Sequence, residues 1–114
     1  MSAKTIQEYV ELGGLQRGYH FWTGWNFSWP MATLRASAER IEIKVKVFWL
    51  EVAAYEFSRQ EILALEKYRG LFSTGILIRH NKKSYPPFML FWTLNYRACK
   101  AGLELVNYQV GEPI

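Results

Sequence analysis

From Arg40 to Val47 the chain alternates without a break. Ile41, Ile43, Val45 and Val47 are apolar, and Arg40, Glu42, Lys44 and Lys46 stand between them. A helix turning every 3.6 residues cannot gather those four aliphatic side chains on one face, whereas a strand does so directly. The same rhythm governs Tyr19 to Trp29. Tyr19, Phe21, Trp25, Phe27 and Trp29 occupy odd positions, while His20, Trp22, Gly24, Asn26 and Ser28 occupy even ones. A half-buried strand needs neighbours along both edges, so these segments predict an antiparallel sheet. Gly24 marks either a bulge in the aromatic strand or, with Thr23, the turn of a hairpin.

Further strands are expected at Ala32–Ser37 and Leu50–Ser58, the latter joined to Arg40–Val47 through a short connection at Phe48-Trp49. Two more are expected at Gly75–His80 and Pro87–Thr93, linked by the polar loop Asn81-Lys82-Lys83-Ser84. The last of these is apolar throughout, which predicts burial on both faces. Residues 61–69 point two ways. Ser58-Arg59-Gln60-Glu61 reads as a capping box before a run of helix formers, yet the surroundings are strands.

Two segments read as helix. At the start, Thr5-Ile6-Gln7-Glu8 fits a capping box and Gly13-Gly14 a stop, predicting a short helix over residues 4–12 within an N-terminal extension, 1–18. Near the end, Leu94, Ala98, Ala101 and Leu105 recur at helical spacing opposite Arg97, Lys100, Glu104 and Asn107. The small residues Ala98, Ala101 and Gly102 suit close approach to a sheet, so the Leu94–Leu105 stripe is the expected docking face. The fold class expected is thus mainly β with a C-terminal α-helix, in one domain whose core spans about residues 19–107.

The chemistry available is narrow. All ten acidic residues are Glu, and His20, His80 and Cys99 are the only imidazoles and thiol. A Ser-His-Asp triad and Asp-based metal sites are excluded, and three scattered Cys/His residues fall short of a structural zinc set. One cysteine forms no internal disulfide, and Met1–Val10 has no apolar run of the secretory kind. These features point to the cytoplasm, or to the inner face of its membrane. No cofactor or metal is expected.

The motifs Trp29-Pro30-Met31-Ala32-Thr33-Leu34, Phe57-Ser58-Arg59-Gln60-Glu61-Ile62, Gly75-Ile76-Leu77-Ile78-Arg79-His80 and Pro87-Phe88-Met89-Leu90-Phe91-Trp92 fall in an order that resembles the pleckstrin-homology (PH) superfold. The likeness is particularly to its bacterial PH-like and GRAM-like domains. The likeness runs over about residues 25–105. It implies a strongly bent antiparallel sheet, or open barrel, of about seven strands capped by the terminal helix, with residues 61–69 as a strand. It also implies a binding or assembly module, not an enzyme. Many relatives in eukaryotes hold phosphoinositides with a basic first loop, but Gly18–Leu34 contains no Lys or Arg, so that role transfers to no residue here.

Two groups of residues are candidates for contact with a partner. Trp22 faces away from the other rings of its strand, and Trp25 lies on the ring-bearing side. Either suits a protein or membrane interface, as both suit a core. Arg79, His80, Lys82 and Lys83 form a basic tip that fits a small anion or simply a solvated loop. Three functions follow: a module that self-associates or docks a protein, a peripheral module on an anionic membrane, and a carrier with Glu56 or His80 in a cavity inside the sheet. The net charge of +4 permits an anionic partner without demanding one, and four basic groups with no RNP or KH signature are too few to indicate nucleic acid.

Overall fold

A computed structural model describes residues 8–18, 25–70 and 73–111, with the backbone alone for 25–28. Among these residues, eight strands and one α-helix follow the order β1 Tyr9–Gly18, β2 Trp25–Ala36, β3 Arg40–Val47, β4 Leu50–Ser58, β5 Ile62–Arg69, β6 Thr74–His80, β7 Phe88–Thr93, α1 Tyr96–Leu105 and β8 Val110–Gly111. They form one sheet in the order β4-β3-β2-β1-β7-β6-β5-β8. It is bent and open, with β4 and β8 as its edges and α1 as its cap. Every pairing is antiparallel except the two-residue contact of β8 with β5.

The expected helix at residues 4–12 is corrected. Residues 9–18 are β1, and this segment lies mid-sheet, bonded to β2 on one side and β7 on the other. Gly13-Gly14 stops no helix; both glycines are buried within the strand. A Cβ on Gly13 would stand 2.2 Å from the Trp92 carbonyl oxygen and 2.4 Å from the Phe91 ring. Only a residue without a side chain lets β1 cross β7 so closely. Two backbone ladders and a packed ring outweigh a local capping signal. Residues 1–7 lie outside the described residues, as does 19–24, the first half of the expected aromatic strand with Gly24. The two strands expected at Tyr19–Trp29 and Ala32–Ser37 merge, where described, into β2, which runs through a cis Trp29–Pro30 bond.

The alternation of β3 holds, with Ile41, Ile43 and Val45 fully buried. Residues 62–69 are strand β5, and the capping box closes a single 3-10 turn over Arg59–Glu61 instead of a helix. Its Glu61 carboxylate accepts the Ser58 N–H at 2.9 Å, so a real local signal sits at a corner between strands. On β7, Met89, Leu90 and Phe91 are all fully buried, as a strand covered on both faces requires.

The inward face of the helix is not the Leu94–Leu105 stripe expected; of the small residues suited to the contact, Gly102 alone makes it. The helix starts at Tyr96, capped by the Asn95 side chain, which accepts the Ala98 N–H at 3.1 Å. Cys99, Gly102, Leu103 and Val106 turn inward, whereas Ala98 and Ala101 are exposed, as are Leu94 (72%) and Leu105 (67%). Two apolar stripes at the same spacing compete, and the inward one holds the residue able to touch the sheet. Gly102 lies so close to the Tyr9 ring that a Cβ would come within 2.2 Å of it. Burying Leu103 alone contributes about 2 kcal/mol. The core joins Leu34, Ile43, Phe57, Ile76, Ile78, Met89 and Phe91 beneath this helix.

Candidate functional site

The β3–β4 hairpin places the largest exposed rings. Val47 and Leu50 are its last cross-strand pair, leaving Phe48 and Trp49 as a two-residue turn. Such turns place residues at positive φ and favour Asn-Gly. Here Phe48 takes the left-handed position with φ 59. Phe48 is 89% exposed and Trp49 86%. They meet at 6.0 Å between centroids, tilted by 51°. Leu50 and Val52 extend the apolar surface along β4, and Lys46 is exposed beside it. On the adjacent strand the β2–β3 register ends at Ala32 opposite Val45. Three residues onward from each lie Trp29, itself half exposed, and Phe48. Two large rings held almost wholly in water amount to about 350 Å² of apolar surface, within the range of patches that mark interaction sites.

In sequence, Phe48 and Trp49 stand only as the short connection between two expected strands. The signal was present: an aromatic pair at the spot where a tight turn calls for small polar residues.

The basic tip is largely occupied from within. Arg79 pairs with Glu66 at 2.7 Å on the outer face. His80 accepts the Lys82 N–H at Nδ1 (3.0 Å), so its Nε2–H donates to the Pro86 carbonyl at 2.9 Å. Lys82 donates to the Glu56 carbonyl at 2.8 Å, lies 3.7 Å from Glu61 and rests over the Tyr85 ring. Tyr85 packs edge-on against Tyr55 and Phe57 and accepts the Glu56 N–H at 3.0 Å. The loop is therefore fastened to β4, bringing His80 and Lys82 together and sending Arg79 elsewhere. Lys83 is exposed, with no ion pair among the described residues. Trp25 opens β2 opposite Arg17 of β1; its side chain and all of Trp22 lie outside the described residues.

Four glutamates spaced by five along β4, the 3-10 turn and β5 each meet a cation. Glu51 faces Lys44, Glu56 faces Arg40, Glu61 faces Lys82 and Glu66 faces Arg79. They are solvated charge pairs, not a paired acid and base.

A second polar cluster sits beneath the start of α1. The Tyr9 hydroxyl and the Thr93 hydroxyl both donate to the Glu11 carboxylate, and the Asn95 N–H donates to Thr93 Oγ1 at 3.1 Å. Burial raises the Glu11 carboxyl above the ordinary range, against the Tyr9 hydrogen bond, which lowers it. Burial likewise raises Tyr9. The Cys99 thiol, fully buried beside them, is pushed up to about 12, chiefly by desolvation and secondarily by Glu11. A thiol so placed stays protonated and is a poor nucleophile.

A groove of about 730 Å³ runs along the outer side of β5, lined by Arg59, Ile62, Leu65, Glu104, Tyr108 and Val110 among others. It lies at the sheet edge, and neither Glu56 nor His80 lines it. Arg59 spans its rim, donating to the carbonyls of Ala38 and Asn107 and stacking 4.6 Å over the Tyr108 ring. Among the described residues no three His, Cys or Glu side chains gather to hold a metal, and no helix is long and apolar enough to cross a membrane. No family model matches the sequence, and no curated protein matches it either.

Proposed function

We propose that this chain is a non-catalytic interaction module of the PH-like kind, and that it docks a protein partner through the Phe48-Trp49 tip. The carrying observation is the exposure of that aromatic pair on a turn whose backbone disfavours a large side chain. Seven antiparallel strands ahead of a terminal helix support the PH-like reading, as does a bent sheet that leaves its edges open. The pairing of the glutamates and the protonated state of Cys99 support the non-catalytic one. Rings of this kind dominate binding energies when a partner encloses them.

A second reading is favoured by the tip's shape. A projecting turn with Trp at its apex and Lys46 beside it suits insertion into an anionic membrane surface. The test compares the wild-type chain with Phe48→Gly/Trp49→Ser in two assays. Crosslinking through a photoreactive group at Lys46 should give protein adducts that the double variant loses. Flotation with vesicles of phosphatidylcholine and phosphatidylserine should leave both proteins in solution. Co-flotation of the wild type alone would replace the protein reading with the membrane one. Identical behaviour of both chains in both assays would remove the tip as a docking site.

A further inference from the structure

Among the described residues, the outward face of α1 is a seam without a partner. Ala98, Ala101 and Leu105 line it, with Leu94 exposed just before the cap. Their spacing of three and four is that of a helix-pairing seam, and the two alanines at its middle permit close approach of a second helix. Arg97 and Glu104 flank it on one side, seven residues apart, both exposed and without an ion pair among the described residues.

That charge pattern selects the occupant. Seven-residue spacing places Arg97 and Glu104 at equivalent flanking positions of consecutive heptads, and such positions face one another when two helices run antiparallel. A second copy of α1 laid antiparallel would set Arg97 against Glu104 of the other chain, twice by symmetry. In the same register Ala98 meets the other chain's Ala101, and Leu105 reaches its Leu94. A parallel copy would instead set Arg97 beside Gly102 and leave both charges alone. We infer that the α1 face is a two-fold self-association surface, separate from the aromatic tip. A face that complements itself under two-fold rotation is what closes a dimer. Ten helical residues span about 15 Å, so the contact is smaller than the roughly 800 Å² per partner of a standard interface. The dimer should be weak, with a dissociation constant on the order of 0.1 mM.

Sedimentation equilibrium on the full chain, from about 10 µM to 1 mM across that constant, tests this. Every measurement is repeated in the Phe48→Gly/Trp49→Ser background, so that association through the tip and through α1 are told apart. The dimer should persist in that background and vanish in Ala101→Glu, whose exposed site leaves the fold and its circular dichroism intact. Arg97→Glu and Glu104→Arg should each weaken association roughly tenfold, and combining them should restore it to within about threefold. A monomer throughout the range in the tip-deleted background overturns the proposal. So does a dimer indifferent to Ala101→Glu, or a double charge swap that fails to rescue.

Discussion

Phe48→Gly separates what the β3–β4 turn does for folding from what it does for binding. Phe48 sits at φ 59, a conformation that costs an L residue roughly 1–2 kcal/mol and glycine almost nothing. Against that gain stands glycine's greater freedom in the unfolded chain, roughly 0.5–1 kcal/mol. The ring is 89% exposed, so the burial lost is only about 20 Å², or about 0.5 kcal/mol. These contributions nearly cancel, and the expected change in stability lies between a loss of about 0.5 and a gain of about 1 kcal/mol, at most about 4 °C in Tm. The same truncation at Phe57, fully buried on the next strand, should cost about 4 kcal/mol or more. Urea unfolding followed by circular dichroism, with thermal melts beside it, measures both variants. A loss of more than about 1 kcal/mol at position 48 would show that the ring supports the fold, and the case for its being displayed to a partner would fail.

Other outcomes follow from the same packing. Gly13→Ala should destabilise the domain by about 3 kcal/mol or prevent folding, because the added methyl meets backbone oxygen and the Phe91 ring; denaturant midpoints decide. Glu11 binds its proton more tightly folded than unfolded, so its ionisation weakens the fold as pH rises from about 4.5 upward. Glu11→Gln should therefore raise the urea midpoint at neutral pH and flatten its pH dependence above that point; an unchanged profile would contradict the burial assigned to the carboxylate. Glu61 is displaced the other way, held low first by the Ser58 N–H. Its contribution is present above the unfolded carboxyl range and is lost as acid protonates the cap, so Glu61→Gln should lower the midpoint at pH 7 and converge with wild type in acid. Cys99 should resist iodoacetamide in the native state and react promptly in concentrated urea, followed by mass spectrometry.

Much of the sheet was legible in the sequence because period two is a direct consequence of strand geometry. β3, β4, β6 and β7 stand close to where alternation or apolar runs placed them. What misled was local chemistry overruled from a distance. Gly13-Gly14 read as a helix stop, but their smallness serves the crossing of β7, which lies nearly eighty residues further along and leaves no local mark. The Ser58–Glu61 box leaves residues 61–69 open between helix and strand, and pairing with β6 decides for the strand. On α1 both stripes had helical spacing, and Tyr9 chose between them by filling the space beside Gly102. The basic tip showed its charges but not their partners, since Glu56, Glu61, Glu66 and Pro86 meet them only after folding. The aromatic turn was visible as an exception to turn chemistry.

The place of β1 in the sheet governs how the molecule assembles and how it could be taken apart. β2–β4 form one run of hairpins and β5–β7 another, with β8 added in parallel to β5, and among the described residues only β1 is bonded in the sheet to both runs. Residues 14–18 must find residues 88–92 across most of the chain. That long closure makes a slow, nucleation-limited search, of the millisecond-to-second kind typical of β topologies. β1 is accordingly the keystone of the sheet: a chain shortened past Gly18 keeps two sets of strands with no strand to bond them into one sheet.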